Sequence, residues 1–266
     1  MLKDITIGQH YPTGSLIHKL DARTKIIGTF AIIVSLFIGV NAPSYGLVAL
    51  FIFLCVHISK IPKKFIVKGI KPLRIIIILT FLINIFMTQG EVLYNLGPLV
   101  ITREGVRQGV FMAIRLALLV MGTSLLTLTT SPIALTDGIE NLLKPFKKIG
   151  VPAHELAMMM TIALRFIPTL LEETDKIMKA QMARGADFES GNIISRAKGL
   201  VPLMVPLFIS AFRRADELAM AMEARCYRGG DNRTRMKQAR MLKIDYLSLL
   251  AIALLLAVLV LLRMLA

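Results

Sequence analysis

The sequence predicts an all-α integral membrane protein with about five transmembrane helices, plus long cytoplasmic helices between the fourth and fifth spans. Three observations predict it. The 266 residues are 55% hydrophobic with a mean hydropathy of +0.68, outside the range of an ordinary soluble domain. Apolar runs recur at 26–40, 45–58, 73–88, 106–129 and 246–262, on the scale of the roughly 20 residues that cross a hydrocarbon core. The net charge of +15 sits mainly in connections on one side, as the positive-inside rule requires. Topology thus accounts for the pI of 10.1, and no nucleic-acid partner is expected. Cys55 and Cys226 form no CxxC, so neither a disulfide framework nor a thiolate metal site is supported.

Residues 1–25 are polar, carry Lys3, Lys19, Arg23 and Lys25, and are expected on the cytoplasmic side, with Asp21 opening a helix. The first apolar run begins only after Lys25 and lacks a small-residue cleavage site, so no removable signal peptide is predicted. Runs 26–40 and 45–58 flank Asn41-Ala42-Pro43-Ser44, a tight turn, and read as a membrane hairpin. Lys60, Lys63, Lys64, Lys68, Lys71 and Arg74 hold the next connection inside. The third span is followed by a turn-rich outer loop, 89–105, and the fourth is stopped by Ser131-Pro132. Arg115 lies within that fourth span, where a central arginine costs about 2.5 to 3.5 kcal/mol, so it must face protein or snorkel to headgroups.

A charged, helix-patterned stretch follows. Thr136-Asp137-Gly138-Ile139-Glu140 reads as a capped helix start, and Ile149-Gly150-Val151-Pro152 as a break. Two long helical patterns, 153–184 and 193–225, each run from an apolar start to a charged end. The apolar half of the first reads as too short to span, interrupted by His154, Glu155 and Arg165. A competing count makes further spans of 156–171 and 200–212. Arg228, Arg233, Arg235, Lys237, Arg240 and Lys243 return the chain to the inner face before the last span. The expected organisation is a four-span membrane domain over 1–131, a cytoplasmic helical domain over 132–241 and a C-terminal helix over 242–266. The N-terminus would lie inside and the C-terminus outside.

No phosphate-binding loop, HExxH, GxSxG or paired acidic array occurs, and His10, His18, His57 and His154 are scattered. No catalytic residue, metal ligand set or cofactor is therefore predicted; the chain reads as a coupling or scaffolding part. Its distinctive feature is a weak repeat. Ala183-Arg184-Gly185 and Ala224-Arg225-Cys226 end the two long patterns, and aligning the arginines sets Asp175 against Asp216 and Ala180 against Ala221. An arginine before glycine is a common helix ending, since the cation suits the negative end of the dipole. The second arginine lacks that glycine, and two arginine-tipped helices suggest two similar acceptors. A desolvated guanidinium in an acidic groove would contribute roughly 2 kcal/mol or more, an exposed pair about 0 to 1.

At these residues the chain resembles the T component of energy-coupling factor transporters, a class of ABC importers. The resemblance rests on Leu128-Thr129-Thr130-Ser131-Pro132, Leu164-Arg165-Phe166-Ile167-Pro168, Ala180-Gln181-Met182-Ala183-Arg184-Gly185 and Glu223-Ala224-Arg225. It implies that Arg184 and Arg225 cap coupling helices docking onto two ATP-binding-cassette subunits, which alone hydrolyse ATP. It also implies a membrane S component that captures a vitamin or other micronutrient. Met158, Met159, Met160, Met204 and Phe208 would offer that partner an adaptable surface, or else pack internally or against lipid. The chain departs from the pattern at Cys226, where glycine is frequent, which puts the form of that helix end in question. Alternatives are a pore-forming ABC permease, a stand-alone secondary carrier, which would need polar groups at mid-membrane, and a membrane enzyme, which would need a convergent acid, base or metal set.

Overall fold

A computed structural model of the chain describes residues 10–39, 41–96, 99–186, 188, 193–230 and 240–265. It is helical almost throughout, as the composition predicts. The helices are α1 (Leu16–Lys19), α2 (Ala22–Ile38), α3 (Ala42–Ser59), α4 (Lys63–Ile70), α5 (Arg74–Met87), α6 (Arg103–Thr129), α7 (Pro132–Leu143), α8 (Ala153–Ala183), α9 (Ile193–Ala224) and α10 (Lys243–Met264). One sheet occurs among the described residues, an antiparallel pair of β1 (Val92–Leu96) and β2 (Leu99–Thr102), in the loop read from sequence as turn-rich. Its Val-Leu-Tyr and Leu-Val-Ile runs are strand-forming sequences hidden by the Asn, Gly and Pro around them.

The chain divides into two compact units, residues 8–138 with 238–266, and residues 139–237. In the first, α2, α3, α6 and α10 surround a core of Ile32, Leu36, Tyr45, Val48, Ile52, Leu118, Leu255 and Leu259. Asp21 caps α2 by accepting from the Arg23 amide at 2.9 Å, the start that the sequence predicts. The fully buried Asp245 accepts from the backbone N–H groups of Asp21 (2.8 Å) and Leu242 (2.7 Å), tying the starts of α2 and α10. Beside it, Lys25 Nζ donates to the carbonyls of His18 and Thr129, both at 3.0 Å. A buried charge needs such saturation of its hydrogen-bonding atoms, and this knot supplies it at one end of the unit. At the other end α5 and α6 meet closely. A Cβ on Gly105 would lie 2.9 Å from the carbonyl oxygens of both Asn84 and Ile85, so glycine there sets the interhelix approach.

Among the described residues, five helical segments are long and apolar enough to cross a membrane: Ala42–Ser59, Lys63–Met87, Arg103–Thr129, Ala153–Ala183 and Lys243–Met264. The number agrees with the sequence reading, and four of the five coincide with its spans. The first apolar run forms a 17-residue helix stopped at Gly39, one residue shorter than α3, its partner in the hairpin. Residues 153–183 also qualify by length and composition, as in the competing count and against the expectation that their apolar half is too short. His154 and Glu155 occupy the first helical turn, which leaves Arg165 as the one charge between Leu156 and Leu171. The third span begins at Arg74, and Lys63–Ile70 before it is helical too, joined by a 3-10 turn at Lys71–Leu73. A second expectation is also corrected. Helix α7 starts at Pro132, with the Ser131 hydroxyl accepting from the Ala134 amide, rather than at Thr136. Thr136 is mid-helix and donates to the Ile133 carbonyl at 2.7 Å, a bond that satisfies a threonine without ending the helix.

Candidate helix-tip docking site

The second unit is built on α8 and α9. Helix α8 begins after Pro152, following a turn in which Gly150 takes a left-handed φ of 91°, so the predicted break is present. His154 in its first turn donates from Nδ1 to Glu140, 3% exposed, at 3.3 Å. The ring of His154 also packs on Gly230, where an added Cβ would lie within 2.4 to 2.8 Å of ring and stem atoms. The chain leaving α9 is thereby returned to the start of α8, so the two helices run antiparallel.

Their contact is polar and specific. Glu173 accepts from the Ser210 hydroxyl and from Arg214, at 2.9 Å from Nη2 and 3.2 Å from Nε. Eight residues on along α8, and eight back along α9, Gln181 Nε2 donates to the Pro202 carbonyl at 3.4 Å. Pro206 has no N–H to offer that carbonyl, so its ring leaves the helix bond open and Gln181 fills it. Glu173 and Arg214 stand 41 residues apart, the same offset as Arg184 and Arg225. The helices therefore meet at repeat-equivalent residues, and each arginine lies 11 residues beyond the meeting point (173 to 184, 214 to 225). At 1.5 Å per residue each arm is about 16 Å, and the tips point apart by on the order of 30 Å.

Both tips close in the same way. At the first, Gly185 N–H bonds the Met182 carbonyl and Ala186 N–H the Gln181 carbonyl, both at 3.0 Å, with Gly185 at φ 88°. At the second, Cys226 N–H bonds Glu223 O at 2.8 Å and Tyr227 N–H bonds Met222 O at 3.0 Å, with Cys226 at φ 55°. These are two Schellman closures with an arginine at each C-cap. Cys226 thus performs the turn that glycine performs at 185, which answers the question its sequence raised about that helix end. A side chain in that left-handed region costs about 1 to 2 kcal/mol. The closures use main-chain groups only, so neither arginine side chain is needed to end its helix. Both arginines are exposed, and among the described residues neither guanidinium has an ion-pair or hydrogen-bond partner. Ala183 and Ala224 beside them are exposed as well.

Of the apolar candidates, Met159, Met204 and Phe208 are exposed (54%, 44% and 56%), whereas Met158 and Met160 are half-buried. Met204 and Phe208 fall on one face of α9 with Val201, Val205 and Phe212, all exposed. The structure separates this greasy part of α9 from its charged tip, as the sequence gradient predicts. Sequence reasoning missed Glu173, Ser210, Arg214 and Gln181. The repeat offset held the signal, since it places an acid opposite a base at 173 and 214. Arg233, Arg235 and Lys237 of the basic connector lie outside the described residues.

The family model described as Cobalt transport protein (CbiQ) matches residues 13–236. Proteins named energy-coupling factor transporter transmembrane protein EcfT align over most of the chain. One from Thermosediminibacter oceani is 64% identical over 96% of this chain and 96% of its own length. One from Clostridium kluyveri is 59% identical over 99% and 98%. One from Bacillus subtilis is 50% identical over 90% of each.

Proposed function

We propose that this chain, which belongs to the CbiQ family and within it to the energy-coupling factor transporter transmembrane proteins, couples two separate ATPase subunits to a substrate-binding membrane partner. It is a multi-pass membrane protein and the transmembrane component of a transporter. ATP hydrolysis resides in the partner subunits, and the cargo is a vitamin or other micronutrient selected by the S component. The observation that supports this reading best is the pair of matched tips. Arg184 and Arg225 sit on matching helix closures, each 11 residues beyond the Glu173–Arg214 pair, exposed and without a side-chain partner among the described residues, which suits two similar acceptors. Ala183, Gly185, Ala224 and Cys226 keep the surface around each guanidinium low, so a partner groove can close over it.

The exposed face of α9 around Met204 and Phe208, with Met158, Met159 and Met160 on α8, is the surface proposed for the S component. Long unbranched side chains there repack against differing partners at small cost. The N-terminus and both tips lie in the cytoplasm and the C-terminus outside, because the lysine- and arginine-rich connections then all fall on the inner side. Nucleotide-driven approach of the ATPases would shift one arginine-tipped helix against the other and so reorient the S component.

The test is a mild-detergent pull-down of the full-length protein from its native membranes, comparing wild type with the Arg184→Glu, Arg225→Glu double variant. Two ATP-binding-cassette proteins should accompany wild type and be lost from the variant. Wild type recovered without an ATPase would sink the coupling reading, and ATPases retained by the variant would remove the two arginines from it.

A further inference from the structure

We propose that Arg115, assisted by Arg107, binds the phosphodiester of an anionic phospholipid at the end of the α2–α3 hairpin remote from Lys25. Arg115 is half-buried in α6. Its Nε donates to the Tyr45 hydroxyl at 2.9 Å and Nη2 donates to the same oxygen. The guanidinium lies over the rings of Phe37 (5.4 Å) and Tyr45 (5.6 Å), while among the described residues Nη1 reaches only Met112 Sδ at 3.7 Å. The Tyr45 ring stacks on Phe111 at 5.3 Å, and Arg107 lies over Phe111 at 5.7 Å. Two guanidiniums thus share one continuous aromatic stack, which fixes their positions and shields their carbon faces.

What this stack lacks is a negative charge. Helices α2, α3, α4 and α5 and strand β2, the elements packed against α6, contain no Asp or Glu. The one acid of α6 is Glu104, whose Oε2 accepts from the Glu91 amide at 2.7 Å; it lies three residues from Arg107 and eleven from Arg115. Aromatic faces and a shared phenol orient a guanidinium without neutralising it, so its counter-ion must come from outside the chain.

Depth identifies the source. Thr129, held by Lys25 at one end of the unit, is 14 residues from Arg115, or about 21 Å along a helix, in a hydrocarbon core of about 30 Å. Arg115 is therefore on the order of 10 Å below the far boundary. The hairpin ends at the same level: Phe37 is the last residue but one of α2 and Tyr45 the fourth of α3. At 17 and 18 residues these helices are shorter than the core, whereas the 27 residues of α6 exceed it. Headgroups beside the hairpin tip must descend towards Arg115. A phosphodiester there accepts from the open N–H groups of Nη1 and Nη2, with Arg107 two turns above. An Arg115 without a carboxylate, and a second arginine above it, favour a headgroup of net negative charge over one carrying its own ammonium.

The inference is independent of the ATPase reading, and its test contains no partner subunit. Native mass spectrometry of the full-length detergent-solubilised protein would follow retention of phosphatidylglycerol, phosphatidylcholine and inorganic phosphate. Wild type should hold phosphatidylglycerol about tenfold more tightly than Arg115→Gln and than it holds phosphatidylcholine, the loss expected for one charged contact. Exposed Arg107→Gln, which cannot disturb folding through the core, should weaken retention about threefold and decides the matter if Arg115→Gln fails to fold. Equal retention by wild type and the foldable variant, or no preference over phosphatidylcholine, would overturn the proposal. Displacement of the lipid by millimolar inorganic phosphate would also overturn it, in favour of a free-anion site.

Discussion

Replacing Glu173 by lysine should unlock the crossing of α8 and α9. The carboxylate collects one hydroxyl and two guanidinium hydrogen bonds, and these join the helices at repeat-equivalent positions. Hydrogen bonds to charged groups contribute about 1.5 to 3 kcal/mol when buried. Glu173 is 22% exposed and Arg214 37%, so the ion pair is screened and the discounted sum is about 2 kcal/mol. Two like charges about 4 Å apart at a surface add repulsion of on the order of 1 kcal/mol. The variant should thus disfavour the closed crossing by roughly 3 kcal/mol, more than a hundredfold in population. Spin labels at Ala183→Cys and Ala224→Cys, in a Cys55→Ala, Cys226→Gly background, would report the tip separation by pulsed electron resonance. The parent should give one narrow distribution on the order of 30 Å, Glu173→Lys a broad one, and Glu173→Lys with Arg214→Glu a narrow one again. An unchanged distribution in the single variant would show that something other than this ion pair sets the crossing.

Three further outcomes are expected. Cys226→Gly relieves a left-handed side chain and should raise stability by about 1 kcal/mol in a thermal melt, whereas Gly185→Val should lower it by a comparable amount. Gly105→Ala drives a methyl against two α5 carbonyls and should cost about 1 to 3 kcal/mol, measured in the same melt. The third outcome concerns pH. Burial, reinforced by Lys25 and His10, holds His18 below its usual pKa of 6.5. Its Nε2 donates to the Tyr11 carbonyl at 2.8 Å, so Nδ1 is the acceptor for the Ser15 hydroxyl at 2.7 Å. The unfolded chain then binds more protons than the folded one, and stability should fall as pH drops through 6.5. Melts at about pH 7.5 and about pH 5.5 should differ in wild type and converge in His18→Gln.

Much of this architecture was legible because it follows from local rules. Asp21 before an apolar helix and the Gly150–Pro152 break each act within one turn of chain and fall where the structure has them, whereas Ala42, Pro43 and Ser44, read as turn, form the first turn of α3 because proline suits a helix start. The ends of α8 and α9 were legible to within a residue, since charge gradients and small residues marked them. Other features depended on partners distant in sequence. The crossing required knowing that Glu173 faces Arg214 rather than water, and Gln181 gains its meaning only from the carbonyl that Pro206 leaves open. At Cys226 composition left the helix ending in question, because tertiary context can hold a non-glycine residue in a left-handed turn at modest cost. The β hairpin was hidden for a related reason: turn residues dominate its loop, while the pairing that makes strands is between segments.

The equal spacing of the two tips about Glu173 and Arg214 has a mechanical consequence. A lever with its fulcrum midway has a gain of one, so it neither magnifies nor diminishes a stroke. A rotation of about 10° at the crossing would sweep each 16 Å arm through roughly 3 Å, in equal and opposite senses. Balanced torque on the two tips would then reach one pivot without favouring either side.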